Sequence, residues 1–129
     1  MYLGIDLISI ARFAHWHKKP IQSLSRIFHE AEIAYCLKNI DKSAERFAAR
    51  FAAKEALFKA ITQDDPYHKI PFLTLASSFH VERHSSGLPL MFVDWQRLQP
   101  YFSKQEVMTK SVSMSVSHEK EYAVVVVWF

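Results

Sequence analysis

The residues best suited to chemistry are two carboxylates and an ammonium. Asp6 lies in the apolar run MYLGIDLISI, and Glu55 and Lys59 lie in RFAARFAAKEALFKAI, residues 46–61. At 100° per residue, Phe47, Phe51 and Phe58 fall within about a 40° arc, and Ala49, Ala52, Ala53, Ala56 and Ala60 fill the far side. Glu55 and Lys59 share the narrow strip between these two faces. A bare carboxylate buried there would cost several kcal/mol, so Glu55 needs Lys59 or a metal as partner. The plainer alternative is a solvated i, i+4 ion pair worth roughly 0.2–0.5 kcal/mol. Asp6 sharpens the choice, because Asp is depleted in strands and here interrupts one; its plain explanation is an edge position facing water. Two carboxylates without a Cys or His cluster suit a hard cation such as Mg²⁺, which keeps waters and recruits phosphate oxygens.

Arg46, Arg50 and Lys54 repeat at i, i+4, i+8. They form either a wet basic face or a row in which Arg50 and Lys54 hold a ligand's negative charge. His118 closes SVSH just before the turn EKEY, a position more often exposed than functional. His15, His17, His29, His68, His80 and His84 follow no pattern. Nothing matches a Ser-His-Asp set, a P-loop or a Rossmann glycine loop, so the familiar hydrolase and kinase classes lack support.

The elements that must position these residues are readable in outline. MYLGIDLISI alternates as a strand, with Leu3, Ile5 and Leu7 on one face and Tyr2, Gly4, Asp6 and Ile8 on the other. A short helix is expected from Ser9 to about His17, stopped by Pro20, and a second along FHEAEIAYCLKN, ending at Lys38 and Asn39. Residues 42–62, free of Gly and Pro, predict the longest helix. TQDDPYHKIP reads as a loop, FLTLASSFHVER as a strand, HSSGLP as a turn, LPLMFV as a strand and DWQRLQPYF as one or two helical turns. The ending, SVSMSVSHEKEYAVVVVWF, predicts a hairpin. Its first arm has Val112, Met114 and Val116 inward and serines opposite; its second is apolar on both faces and should be central in its sheet. Mixed strands and helices without regular alternation give an α+β class, a mostly antiparallel sheet packed on one long helix plus short helices.

The 129 residues suffice for one domain, residues 1–129, with a single core. Half are apolar and 22% charged, which opposes disorder along most of the length. A net charge of +3 and a pI near 9.0 favour an anionic partner: nucleic acid, a phosphorylated small molecule or an acidic protein. The single cysteine, Cys36, excludes an internal disulfide and suits a reducing compartment, so a cytoplasmic location is expected. The longest apolar run, residues 123–129, is too short for a spanning helix, and the N-terminus lacks a signal-peptide pattern; a soluble, unexported chain without membrane attachment is expected.

Taken together, GIDL, ARF, SRIFHEAEIAYC, RFAARFAAKEALFKA, SGLP and MSVSHEKEYAVVVV resemble, in order and spacing, the holo-acyl-carrier-protein synthases, the small bacterial type of 4'-phosphopantetheinyl transferase. The resemblance covers nearly the whole chain. It implies the 4'-phosphopantetheinyl transferase fold and transfer of the phosphopantetheine arm of coenzyme A to a serine of apo acyl carrier protein, releasing adenosine 3',5'-bisphosphate. Carried over position by position, Asp6 and Glu55 look like Mg²⁺ ligands, Lys59 like the catalytic lysine near the pyrophosphate, and His118 like a catalytic residue contacting it. Arg50, Lys54, Ser117 and His118 match positions along coenzyme A, and Arg12 and Arg26 match the carrier-docking surface. By the same analogy Glu55, directly or through water, accepts the serine proton, and homotrimers with active sites between subunits are implied. Two departures stand out. ITQDDPY replaces a glycine-containing loop, setting Asp64 and Asp65 where phosphates would be repelled, and His29 stands where a threonine cap is usual, which should weaken that cap.

A competing expectation is a basic α+β nucleic-acid-binding module, motivated by the pI, the basic helix row and aromatics Phe72, Phe79, Phe92 and Trp95. It leaves Asp6, Glu55 and His118 without a task.

Overall fold

A computed structural model describes residues 1–102 and 111–129. The frame of the molecule is α3, Ile40–Thr62, laid against a three-stranded antiparallel sheet. The sheet comprises β1 (Leu3–Ser9), β4 (Ser113–His118) and β5 (Tyr122–Trp128) in the order β1-β5-β4. The doubly apolar strand is therefore central, as expected. Between β1 and α3 lie two short 3-10 turns (Ile10–Phe13 and Trp16–Lys18), α1 (Ile21–Leu24) and α2 (Glu30–Leu37). After α3 come α4 (Phe72–Ser77), a separate hairpin of β2 (Phe79–Arg83) and β3 (Pro89–Val93), and α5 (Trp95–Leu98).

The alanine face of α3 lets β1 approach closely: a Cβ at Gly4 would lie 1.8 Å from the Ala56 carbonyl oxygen, so only glycine fits. On the opposite side Phe47 and Phe51 join Phe13, Trp16 and Phe28 in an aromatic cluster with ring centroids 4.5–6.2 Å apart. The face of β1 carrying Gly4, Asp6 and Ile8 turns toward α3, while Leu3, Ile5 and Leu7 are 52–65% exposed.

Local readings needed correction where helical and extended signals compete. FLTLASSFHVER is not one strand: Phe72, Leu75 and Ala76 have i, i+3, i+4 spacing, Pro71 starts α4, and the strand begins only at Phe79. The expected 9–17 helix breaks into the two 3-10 turns, and Pro20 begins α1 instead of merely ending what precedes it. Asn39 does not end α2; its Oδ1 accepts from Asp41 N–H at 3.1 Å and caps α3 two residues earlier than expected. His29 is no lost cap either. Its Nδ1 accepts from Ala31 N–H at 3.2 Å while Glu32 Oε1 accepts from His29 N–H at 3.0 Å, a complete capping box.

Candidate active site

Lys54 and Glu55 are neighbours on α3 with opposite fates. Lys54 is fully buried, its Nζ 3.0 Å from Glu32 Oε1 and donating to the carbonyls of Ala76 at 2.8 Å and Phe79 at 2.7 Å. Those three acceptors saturate the ammonium. Burial lowers the Lys54 pKa, opposed by Glu32. The expectation that Lys54 lines a ligand site is therefore corrected: it ties α3 to α2, α4 and β2 from inside the core. The row of Arg46, Arg50 and Lys54 is not a continuous wet face, since Arg50 and Lys54 are buried, and Phe79 is buried as well, which weakens the case for a nucleic-acid surface along it.

Glu55 is half-buried, and its pKa is raised first by burial and next by the charge of Asp6, against the opposing pull of Lys59 and Arg12. Asp6 reaches this place because its alternation on β1, opposite Val125 of β5, aims it at α3. Lys59 pairs with Asp6, at 2.8 Å from Oδ1, and not with Glu55; it also donates to the Ile5 carbonyl at 3.0 Å. The i, i+4 Glu–Lys pair expected from spacing is thus replaced by a contact across elements. Arg12 closes the group, its guanidinium 5.1 Å from the centre of the Phe51 ring.

Lys59 pairs directly with Asp6 alone and Arg12 acts on Glu55 only through its charge, so among the described contacts the Glu55 carboxylate has no ion-pair partner and its oxygens can bind a cation. Among the described residues no group of three or more His, Cys, Asp or Glu could hold a metal. Asp6 and Glu55 would thus supply two oxygen ligands and leave the rest to water and substrate, a donor set fitting Mg²⁺ better than Zn²⁺.

His118 faces the same side of the sheet as Asp6 but two strands away, roughly 10 Å by strand spacing, since it pairs with Ala123, which pairs with Ile8. Its Nε2 lies 3.4 Å from Glu45 Oε1. It borders a cavity of about 400 Å³ walled by Tyr35, Arg46, Arg50, Arg83 and the Gly87–Pro89 turn. Arg46 and Arg50 stack on the Tyr35 ring at 4.1 and 4.2 Å, and Arg83 donates to the Tyr35 hydroxyl at 2.7 Å. Arg50 is 7% exposed, its Nε has no hydrogen-bond partner, and burial is the main cause lowering its pKa. A concave wall with three guanidinium groups and one unsatisfied donor is suited to an anion. Of its members, helical spacing supplied Arg46 and Arg50 and the family resemblance His118; Tyr35 and Arg83 lie on other elements and gave no periodic signal. Ser117 points to the opposite face of the sheet, where with His118 it borders a hollow beside Leu7, Tyr122 and Val124. Arg26 is exposed near α1.

Residues 2–127 match the 4'-phosphopantetheinyl transferase superfamily. The chain belongs to that superfamily. It is 35% identical over 126 residues to the holo-[acyl-carrier-protein] synthase of Koribacter versatilis, an alignment spanning 94% of this chain and 90% of that protein. Identity to the synthase of Dehalococcoides mccartyi is 33% over 131 residues, spanning 98% and 96%. The fold superposes on that of the Helicobacter pylori synthase in complex with coenzyme A with a TM-score of 0.69 at 27% identity, covering 97% and 96% of the two chains. The α+β class and the family resemblance of the sequence are thereby met. No helix among the described residues is long and apolar enough to cross a membrane.

Proposed function

We propose that this chain is a holo-[acyl-carrier-protein] synthase, moving the 4'-phosphopantetheine arm of coenzyme A onto a serine of apo acyl carrier protein with Mg²⁺ held by Asp6 and Glu55. The observation that carries the reading is the convergence of Asp6 from a strand and Glu55 from a helix, with Lys59 on the former and Asp6 raising the pKa of the latter. The serine hydroxyl attacks the β-phosphorus of the coenzyme A pyrophosphate. A new P–O bond forms, the bond to the bridging oxygen breaks, and adenosine 3',5'-bisphosphate leaves. When bound, the divalent cation offsets negative charge on the pyrophosphate oxygens. Lys59, half exposed and tethered only by its ammonium, presents a second positive charge to those oxygens. Glu55, directly or through water, would take the serine proton. The guanidinium cavity with Arg50 and His118 holds the phosphates of the adenosine half, whereas Ser117, on the other face of the sheet, lies outside that cavity.

Arg12, whose charge acts on Glu55, and Arg26, just after α1, are both exposed and would meet an acidic carrier, raising the encounter rate in low salt. Leu3, Ile5, Leu7, Val124, Val126 and Trp128 form an apolar outer sheet face, the surface we assign to contact between copies in a homotrimer with its active sites between subunits. The place of action is the cytoplasm, in keeping with a lone thiol. The test is mass spectrometry of apo carrier protein incubated with this chain, coenzyme A and Mg²⁺. The expected result is a mass gain of one phosphopantetheine arm, abolished by chelator; an unmodified carrier, or equal modification in chelator, contradicts it.

A further inference from the structure

β1 is an edge strand. Tyr2 and Phe129 exchange both backbone hydrogen bonds, at 2.9 and 3.1 Å, so even-numbered residues of β1 pair with β5. Antiparallel alternation then directs the N–H and C=O groups of odd-numbered residues to the open edge. That edge is closed by side chains of α3. Lys59 donates to the Ile5 carbonyl, and one turn later Gln63 uses both ends of its amide: Oε1 accepts from Leu3 N–H at 3.0 Å and Nε2 donates to the Met1 carbonyl at 3.3 Å. Those two backbone groups flank Tyr2, so the amide replaces one residue of a missing neighbouring strand.

Resting on the reading of Asp6 and Glu55 as a cation site, we propose that Gln63 is a positioning residue that sets the spacing of those carboxylates by fixing how far β1 slides along α3. The two acids sit on different elements, so their separation depends on that slide. Lys59 also grips the edge, but its ammonium is committed to Asp6 and, during transfer, to phosphate oxygens. Gln63 touches neither carboxylate and remains bound to the edge throughout. It replaces no packing, being exposed at the C-terminal end of α3. Its removal should therefore loosen the register without unfolding the protein.

The test uses the full chain with coenzyme A and Mn²⁺ as the spectroscopic probe, free Mn²⁺ being read by electron paramagnetic resonance. Gln63→Ala should weaken Mn²⁺ binding about tenfold, at the low end of what supports of metal ligands are worth. Hydrogen exchange should show Leu3 losing amide protection while Gly4 keeps its own. In turnover, the Mg²⁺ concentration for half-maximal rate should rise more than kcat falls. Gln63→Glu, which retains an acceptor for Leu3 N–H, should preserve Leu3 protection and most of the Mn²⁺ affinity. Unchanged Mn²⁺ affinity in Gln63→Ala despite a deprotected Leu3 overturns the inference, as does weakened binding with Leu3 still protected. Absence of Mn²⁺ binding by the unaltered chain would instead overturn the cation-site reading and the inference with it.

Discussion

Two acid–base clusters meet on adjacent residues of one helix, and they are built to different standards. Around Lys54 every charge is matched: Glu32 receives the ammonium and the N–H groups of His29 and Val81, and Lys54 also satisfies two carbonyls, all out of water. Around Glu55 the pairing is incomplete: Lys59 contacts Asp6 only, Arg12 acts on Glu55 through its charge without a direct ion pair, and the group has partial access to solvent. A satisfied buried network fixes the core, whereas an under-compensated, half-wet one can still accept a cation and a phosphate. The difference teaches that burial with complete pairing marks the structural charge, and proximity without it marks the chemical one.

The comparison breaks most visibly if the two neighbours are swapped in role. Glu55→Gln should lower transfer by on the order of 10²–10⁴-fold, as expected for losing a proton acceptor, yet leave the fold intact. Because the folded state raises the Glu55 pKa, its stabilising contribution is complete below the unfolded value of about 4.3 and is lost as pH rises through the folded value. In metal-free buffer near neutrality the Gln variant should therefore melt no lower than the parent, and slightly higher. A calorimetric scan beside a transfer assay reads both. Lys54→Met should behave oppositely, losing about 3–5 kcal/mol of stability because Glu32 is left buried and unpaired. Urea unfolding would show it, and Glu32→Gln in the same chain should recover part of the loss.

Smaller effects sharpen the picture. Arg26→Glu should raise the KM for carrier protein much more than that for coenzyme A, and the difference should shrink in high salt. Arg12→Glu should do the same and also lower kcat, since Arg12 acts electrostatically on Glu55. Equal changes in both KM values would argue against docking on that side. Cys36, near Lys54 in the core, has its pKa pushed up to about 12, first by burial. Alkylation of the native protein at pH 8 should be far slower than that of the unfolded chain.

Much of this contrast was legible in the residues, because a carboxylate in an apolar strip and an Asp in a strand are local anomalies. The alanine face announced close approach, and Gly4 against Ala56 fulfils it. What spacing along one helix could not tell is which charge on that helix meets which element. Lys54 looked like part of a basic row because its partner Glu32 and the carbonyls of Ala76 and Phe79 are 22 or more residues away in sequence. Lys59 was matched to Glu55 by its i, i+4 spacing, whereas the fold offers it Asp6, 53 residues distant. Gln63 carried no signal at all, since an exposed glutamine after a helix is ordinary until a strand edge is placed beside it. The segment 72–83 misled for a related reason: helical spacing over six residues looks like a strand when the following five are extended.

The central claim is that Asp6 and Glu55 together hold one divalent cation. Titration of the chain with Mn²⁺ in the presence of coenzyme A measures this most directly. One ion per chain is the predicted stoichiometry, with binding lost in Asp6→Asn and in Glu55→Gln alike. Undiminished Mn²⁺ affinity in either variant would contradict it.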